Sequence, residues 1–132
     1  MLHRTRPCAA QALVEFALVF PLVITLSLGV LQVVLYAHAR DVVTTSVQEA
    51  ARLAAEDGRD MEEGYARART LVTAGLGTSV DSSSVDGTLD VDVVSVHMDA
   101  WLRPILPLPL VHGLPIHAEA HVARERFRPG GG

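Results

Sequence analysis

A single carboxylate interrupts an otherwise apolar stretch near the N-terminus. Glu15 lies within a run of small and apolar side chains that begins at Ala9. A carboxylate inside a membrane helix costs about 2.5–3.5 kcal/mol at the bilayer centre and less near an interface. Two interpretations are open: Glu15 lies at the edge of a membrane segment and reaches water, or it pairs with a specific positive group.

Near the other end of the chain, His117, Glu119 and His121 alternate along a predicted strand, so all three share one face. Two imidazoles and a carboxylate could hold zinc, although this is not the helical H-E-x-x-H arrangement of metalloproteases. Alternation on a solvent-facing strand yields the same residues, and we favour that interpretation. Asp90 and Asp92 likewise share the solvent face of their predicted strand.

No residue stands in a recognisable setting for nucleophilic catalysis. The serines of residues 82–84 fall in a polar loop, and the single cysteine, Cys8, precedes the apolar run. No glycine-rich phosphate loop is present, so neither an enzyme nor a cofactor is expected. One cysteine cannot form an internal disulfide, and a formal net charge of -4 disfavours a nucleic-acid partner.

The element that positions Glu15 is a long apolar helix. Residues 16–36 contain no charged side chain, and about 20 apolar residues span the hydrocarbon core of a bilayer. Thr25 and Ser27 can bond back to helix carbonyls, and Pro21 and Gly29 are tolerated in membrane helices. We therefore predict a transmembrane helix over residues 11–36, with a kink at Pro21.

Two alternatives compete with a membrane anchor. A buried core helix is disfavoured because the remainder of the chain is too small to wrap it, whereas a signal peptide stays open because residues 37–39 form a weak A-x-A pattern. Arg4 and Arg6 precede the span, and Arg40 beyond it is offset by Asp41. The flanking charge thus predicts a cytoplasmic N-terminus and an extracytoplasmic C-terminal part.

The segment from Ala10 to Leu22, AQALVEFALVFPL, resembles the N-terminal signature of the TadE-like family, pilin-like components of the tight-adherence pilus machinery of bacteria and archaea. The matching positions are Gln11, Leu13, Val14, Glu15, Phe16, Ala17 and Pro21. Ala10 stands where the family usually has glycine.

The resemblance implies processing of the prepilin type, in which a membrane-embedded peptidase cuts between Ala10 and Gln11. Glu15 would then be the fifth residue of the mature chain, on the same helix face as the new α-amino group of Gln11. It could pair with that amine or with the amine of a neighbouring subunit, and either pairing would offset the cost of a lone charge. An uncleaved anchor of the same family is the alternative.

Helical spacing continues beyond the span. An apolar stripe predicts one helix over residues 11–57, about 70 Å long, with Gly58 as its C-cap. The stripe consists of Val43, Val47, Ala50, Ala51 and Ala54. It could pack within the molecule or against another helix. A second helix is predicted over residues 61–74, ended by residues 75–77; Met61, Tyr65, Ala68, Leu71 and Val72 share one of its faces.

The C-terminal part reads as a loop followed by two strands. We predict a loop over residues 78–87, a strand over 88–98 with a bulge at Val94, and an antiparallel partner over 116–126. The apolar face of the first strand is predicted to consist of Leu89, Val91 and Val93 and, after the shift at Val94, to continue with Val96 and Met98. The inward residues of the second strand are predicted to be Ile116, Ala118, Ala120 and Val122. The proline-rich, apolar connection, residues 100–115, either folds over the sheet or contacts another subunit or lipid.

The expected fold is therefore α+β: a long N-terminal transmembrane helix that continues outside the membrane, a second short helix and a small antiparallel sheet. The expected organisation is a basic leader (1–10), the span (11–36), an extracytoplasmic pilin-like domain (37–128) and a disordered tail (129–132). The resemblance implies a minor pilin-like subunit, or pseudopilin, in the inner membrane. Its expected partners are membrane lipid, a prepilin peptidase, other pilin-like subunits and the inner-membrane assembly platform. The rival function is an uncleaved, membrane-tethered binding module.

Overall fold

A computed structural model describes residues 7–56, 59–105 and 113–124. Two helices precede three strands: α1 (Pro7–Ala55), α2 (Met61–Leu76), a 3₁₀ turn (Gly77–Ser79), β1 (Val80–Leu89), β2 (Val93–Leu102) and β3 (Leu114–Ala123). The strands form one antiparallel sheet in the order β1-β2-β3. The α+β class, with a long apolar first helix, is confirmed.

Helix α1 begins before the predicted start at residue 11, because proline suits a first helical turn and alanines follow it. It ends at Ala55, short of residue 57. Residue 57 and the predicted cap Gly58 lie outside the described residues. The predicted stripe is confirmed as intramolecular packing: Val43, Val47, Ala50, Ala51 and Ala54 are all buried within this one chain.

Helix α2 runs past Gly75, where the sequence predicted its end. Gly75 stays helical because its missing side chain admits a neighbour: a Cβ there would lie 2.7 Å from Cγ1 of Val42 on α1. The helix stops instead at Gly77, whose φ of 52° suits glycine and whose N–H donates to the carbonyl of Thr73. Of the predicted face, Ala68 and Val72 are buried, whereas Met61, Tyr65 and Leu71 are half-buried at its border.

The antiparallel pairing of β2 with β3 is confirmed. Their buried inner face consists of Val94, Val96, Met98, Ala100 and Leu102 on β2 with Ile116, Ala118 and Ala120 on β3. Predicted inward, Val122 is half-buried against this core. β3 starts earlier than the predicted residue 116, with Pro115 opposite Trp101, and proline is tolerated there because β3 is an edge strand. The predicted end at Arg126 lies outside the described residues.

The prediction of a loop over residues 78–87 is wrong, because β1 occupies most of that segment. Its serines and aspartates hide the strand pattern, since only Val80, Val85 and Gly87 are partly buried. As an edge strand, β1 obtains its order from the backbone ladder with β2 rather than from a buried face. Its polar composition also protects an exposed edge from pairing with other chains.

The prediction of one strand over residues 88–98 with a bulge at Val94 is also wrong. Residues 90–92 form the turn between β1 and β2, and pairing is regular through Val94. The irregularity lies instead between Val80 and Ser82. Because Leu89, Val91 and Val93 flank or form the turn, they do not share an inward face and are all exposed.

The core lies between the sheet and the two helices. The outer part of α1, from Ala39 to Ala55, packs on α2, β2 and β3, while α2 reaches β1. The helices approach closely because their facing residues are small: a Cβ on Gly64 would lie 2.8 Å from the carbonyl oxygen of Ala50. Full burial of side chains such as Met98 and Ile116 stabilises the fold by about 1.5–3 kcal/mol each.

The proline-rich connection is shorter than predicted. Residues 100–102 belong to β2, and residues 114 and 115 belong to β3. Residues 106–112 lie outside the described residues. Whether this segment folds over the sheet or contacts another subunit or lipid therefore stays a prediction.

Candidate functional site

The carboxylate of Glu15 is turned back along α1 toward the N-terminus. Its Oε1 accepts a hydrogen bond of 3.2 Å from Nε2 of Gln11, four residues earlier on the same face. Helical side chains lean toward the N-terminus of their helix, so this direction follows from the backbone. Within the described part of the chain, no cation pairs with Glu15.

The bond between Ala10 and Gln11 lies inside the helical part of the chain. α1 includes both residues, and both are exposed. The bond is also close to the start of α1, where the first N–H groups have no intrahelical acceptors.

The segment that follows Glu15 presents apolar side chains on all sides. Of the most apolar 18-residue window of α1, 0% is buried, and Phe16, Leu18 and Leu22 are each exposed by more than 60%. The alternative of a core helix is therefore wrong. This helix is the one candidate span among the described residues, and its length and composition fit a single-pass membrane protein.

The two hydroxyl groups within this segment bond locally to helix carbonyls. Oγ1 of Thr25 donates to the carbonyl of Pro21 and Oγ of Ser27 to that of Val23, each at 2.8 Å, as predicted. The helix is continuous through Pro21, and the predicted kink there stays a prediction. Ala39, at the end of the weak A-x-A pattern, is completely buried in mid-helix.

Two contacts that the sequence did not predict join α1 to the end of the sheet where β2 ends and β3 begins. The hydroxyl of Tyr36 donates to the carbonyl of Pro115 at 3.1 Å. The backbone N–H of Ile105 donates to Oε1 of Gln32 at 2.7 Å. A glutamine and a tyrosine four residues apart, on one face at the end of an apolar run, were the available signal.

The outer face of the sheet has a row of histidines and carboxylates. His117, Glu119 and His121 share this face as predicted, and each is exposed. His121 Nδ1 lies 2.8 Å from Oγ of Ser95, and His117 contacts Asp99. Over the described ranges no group of three or more such side chains is arranged to hold a metal ion.

Asp99 is the electrostatic centre of this row. The hydrogen bond with His117 lowers the pKa of Asp99, with His97 adding a smaller favourable charge and partial burial opposing both. Nε2 of His97 lies 3.2 Å from the other carboxylate oxygen. Asp90 and Asp92, predicted on a strand face, belong instead to the β1–β2 turn, where Oδ1 of Asp90 accepts from the N–H of Val91.

Comparison with known proteins gives one match. The model of the family described as TadE-like protein matches residues 10–52, which confirms the resemblance over this segment. The match covers the Ala10–Gln11 bond, Glu15, the apolar segment and most of the buried half of α1. No curated protein and no solved structure matches the chain.

Proposed function

From the TadE-like segment that this chain has at residues 10–52, we propose that it is a minor pilin-like subunit, a pseudopilin, of a tight-adherence, type IV-like pilus assembly and secretion system. The family match supports a pilin-like role related to pilus assembly in general. The assignment to a pseudopilin, and the involvement in secretion and adhesion, are the proposal.

The observation that carries the proposal is the direction of the Glu15 side chain. It already reaches Gln11, the residue that would carry a new α-amino group after cleavage at Ala10. In a low-dielectric environment an unpaired carboxylate is costly, and an ammonium group on the same face offsets that cost. The amine of a neighbouring subunit could replace the intramolecular one, which would couple Glu15 to assembly.

The two halves of α1 have different roles in this proposal. The apolar, exposed half would anchor the subunit in the inner membrane, with the arginines of the leader on the cytoplasmic side. The buried half forms the core of the outer domain. Because α1 is continuous from Pro7 to Ala55, a force on the anchor would be transmitted to the domain without a flexible linker.

The partners follow from this role: the prepilin peptidase, other pilin-like subunits, the inner-membrane assembly platform and membrane lipid. The proposed role is structural and requires no catalytic residue or cofactor.

Processing can be followed through the chain's single cysteine, which lies in the leader. The full chain is expressed with and without a prepilin peptidase, denatured and treated with a maleimide-linked polymer. The proposal expects the labelled, shifted band to disappear when the peptidase is active, because residues 1–10 are removed. A label kept under both conditions would favour the uncleaved binding module.

Glu15 is tested in the same system. Glu15→Ala is expected to impair maturation or assembly while the protein still enters the membrane fraction. Glu49→Ala, an exposed carboxylate on the outer half of the same helix, is the matched control and should behave as wild type. Normal pilus assembly by the Glu15 variant would contradict the role given to this residue.

A substitution at Ala10 provides a second test of processing, in which cleavage should be retained rather than lost. Glycine is the family's usual residue at this position, so Ala10→Gly should be cleaved at least as fast as wild type. Slower cleavage of this variant would contradict a prepilin-type cut at the Ala10–Gln11 bond.

A further inference from the structure

The end of the sheet that holds Trp101 and Pro115 lies beside the last turns of the apolar segment of α1. Pro115 is tied to Tyr36 and Ile105 to Gln32 by the two hydrogen bonds described above. Trp101 pairs with Pro115 across β2 and β3. We call residues 101–105 with 113–115 the basal surface.

The level of the basal surface relative to a bilayer follows from helix geometry. If residues 16–36 cross the membrane, as the proposed function requires, that segment is about 31 Å long and matches the hydrocarbon thickness. Tyr36 then lies at the far boundary, and Gln32 lies about 6 Å deeper. The basal surface would thus be in the interfacial layer of the extracytoplasmic leaflet.

The composition of the basal surface fits that layer. Trp101 and Ile105 are 45% and 41% exposed, and tryptophan and tyrosine are enriched where membrane meets water. Backbone groups at such a depth need internal partners. The N–H of Arg103 donates to the carbonyl of Ser79, and that of Ile105 donates to Gln32.

A cavity of about 380 Å³ opens between the basal surface and α1. Leu35, Leu102 and Ile105 give it apolar walls, and Arg103 and Gln32 line it as well. Nε2 of Gln32 is buried and has no acceptor in the described structure. The Nε and Nη2 atoms of Arg103 bond Asp81, which leaves other guanidinium N–H groups for an anion.

We propose that the basal surface rests on the extracytoplasmic leaflet and that the cavity takes the headgroup end of one phospholipid. Its phosphate oxygens supply acceptors for the guanidinium N–H groups of Arg103 that do not bond Asp81. Its upper acyl carbons contact the apolar walls. The lipid contact fixes the height and tilt of the outer domain over the membrane before assembly.

The chain's single tryptophan makes the contact measurable, because intrinsic emission reports on Trp101 directly. The full chain is reconstituted into phosphatidylcholine vesicles that contain lipid brominated either near the headgroup or near the chain terminus. We expect lipid brominated near the headgroup to reduce the emission and lipid brominated near the chain terminus to reduce it less, because tryptophan is enriched at the membrane interface. Emission that neither lipid quenches, with full access to aqueous iodide, would overturn the inference.

Flotation of the same vesicles separates the possible failures. Protein that floats with unquenched Trp101 refutes the basal contact alone and leaves the proposed pilin-like role standing. Protein that does not float refutes both. If a neighbouring subunit rather than lipid quenched Trp101, the quenching would depend on the number of protein molecules per vesicle. That result too would overturn the lipid assignment.

Two matched pairs of variants localise the contact. Ile105→Asp should reduce quenching, whereas Val91→Asp, at the exposed turn at the far end of β2, should not. Arg103→Gln keeps a donor for Asp81 but removes the charge; it should lower the fraction of protein that retains phosphatidylcholine in native mass spectrometry. Arg124→Gln, beyond the far end of β3, should leave retention unchanged. Equal effects within either pair would overturn the proposed site.

Discussion

Substitution of Gly87 by alanine would test whether residues 80–89 form the strand β1 or the loop that their composition indicates. A Cβ on Gly87 would lie 2.3 Å from the carbonyl oxygen of Ser95, 2.9 Å from Cε of Met61 and 3.2 Å from the hydroxyl of Tyr65. The first contact is with backbone in β2 and is more than 1 Å closer than ordinary contact at 3.4 Å or beyond. The strands would have to separate locally.

The expected loss in the free energy of unfolding is the sum of several contributions. Overpacking of a well-packed site costs about 1–3 kcal/mol, and each weakened ladder hydrogen bond adds about 0.5–1.5 kcal/mol. The lower chain entropy of alanine in the unfolded state returns about 0.5–1 kcal/mol. The carbonyl of Gly87 also accepts a 3.3 Å bond from Tyr65, which would be disturbed. We expect a net loss of about 2–3 kcal/mol in the free energy of unfolding.

Urea unfolding of the full chain in detergent micelles, followed by Trp101 emission, measures this loss as a lower midpoint at an unchanged slope. Gly113→Ala is the control, because its Cβ would lie 3.5 Å from the nearest atom, a ring carbon of Trp101. A Gly87→Ala protein as stable as wild type would refute the strand. Equal destabilisation by both variants would refute the steric reasoning.

Other substitutions test the core and the outer face of the sheet by the same unfolding assay. Met98→Ala should lower the free energy of unfolding by about 2–5 kcal/mol because the side chain is fully buried, and Met98→Leu by less than about 1.5 kcal/mol; equal losses would contradict this packing. Arg103→Ala should cost less than about 1 kcal/mol, because its ion pair with Asp81 is more than a third exposed; a larger loss would show a buried role. The pKa of Asp99 is lowered in the folded state by its hydrogen bond with His117. The carboxylate therefore contributes stability above the unfolded pKa of about 3.9. That contribution is lost as the pH falls through the folded pKa, so Asp99→Asn should flatten this part of the stability curve; an unchanged acid limb would contradict the assignment.

Those parts of the fold that depend on local spacing could be predicted from the sequence. Each of these parts has a pattern that lies within one element and faces one environment. The patterns are the charge-free run, the helical spacing of Val43 and Val47, and the alternation of Ile116, Ala118 and Ala120. The N-terminal signature could be recognised because its matching residues, Gln11 to Pro21, lie within one short segment of the chain.

The elements and contacts that could not be predicted depend on residues that are distant in sequence. β1 lacks an apolar period because its order comes from pairing with β2, and no residue within it signals that partner. The turn at residues 90–92 was read as strand because Leu89, Val91 and Val93 alternate, although alternation also arises by chance over a few residues. The bonds of Gln32 and Tyr36 join positions more than 70 residues apart, so the spacing of these two residues on α1 marks a polar face but does not identify its partners.

The mass of the intact protein recovered from the membranes of cells with an active prepilin peptidase tests the central claim most directly. The account expects a polypeptide that begins at Gln11, lacks residues 1–10 and remains in the membrane fraction. A membrane-bound protein that still begins at Met1, in cells whose peptidase processes a known substrate, would contradict it.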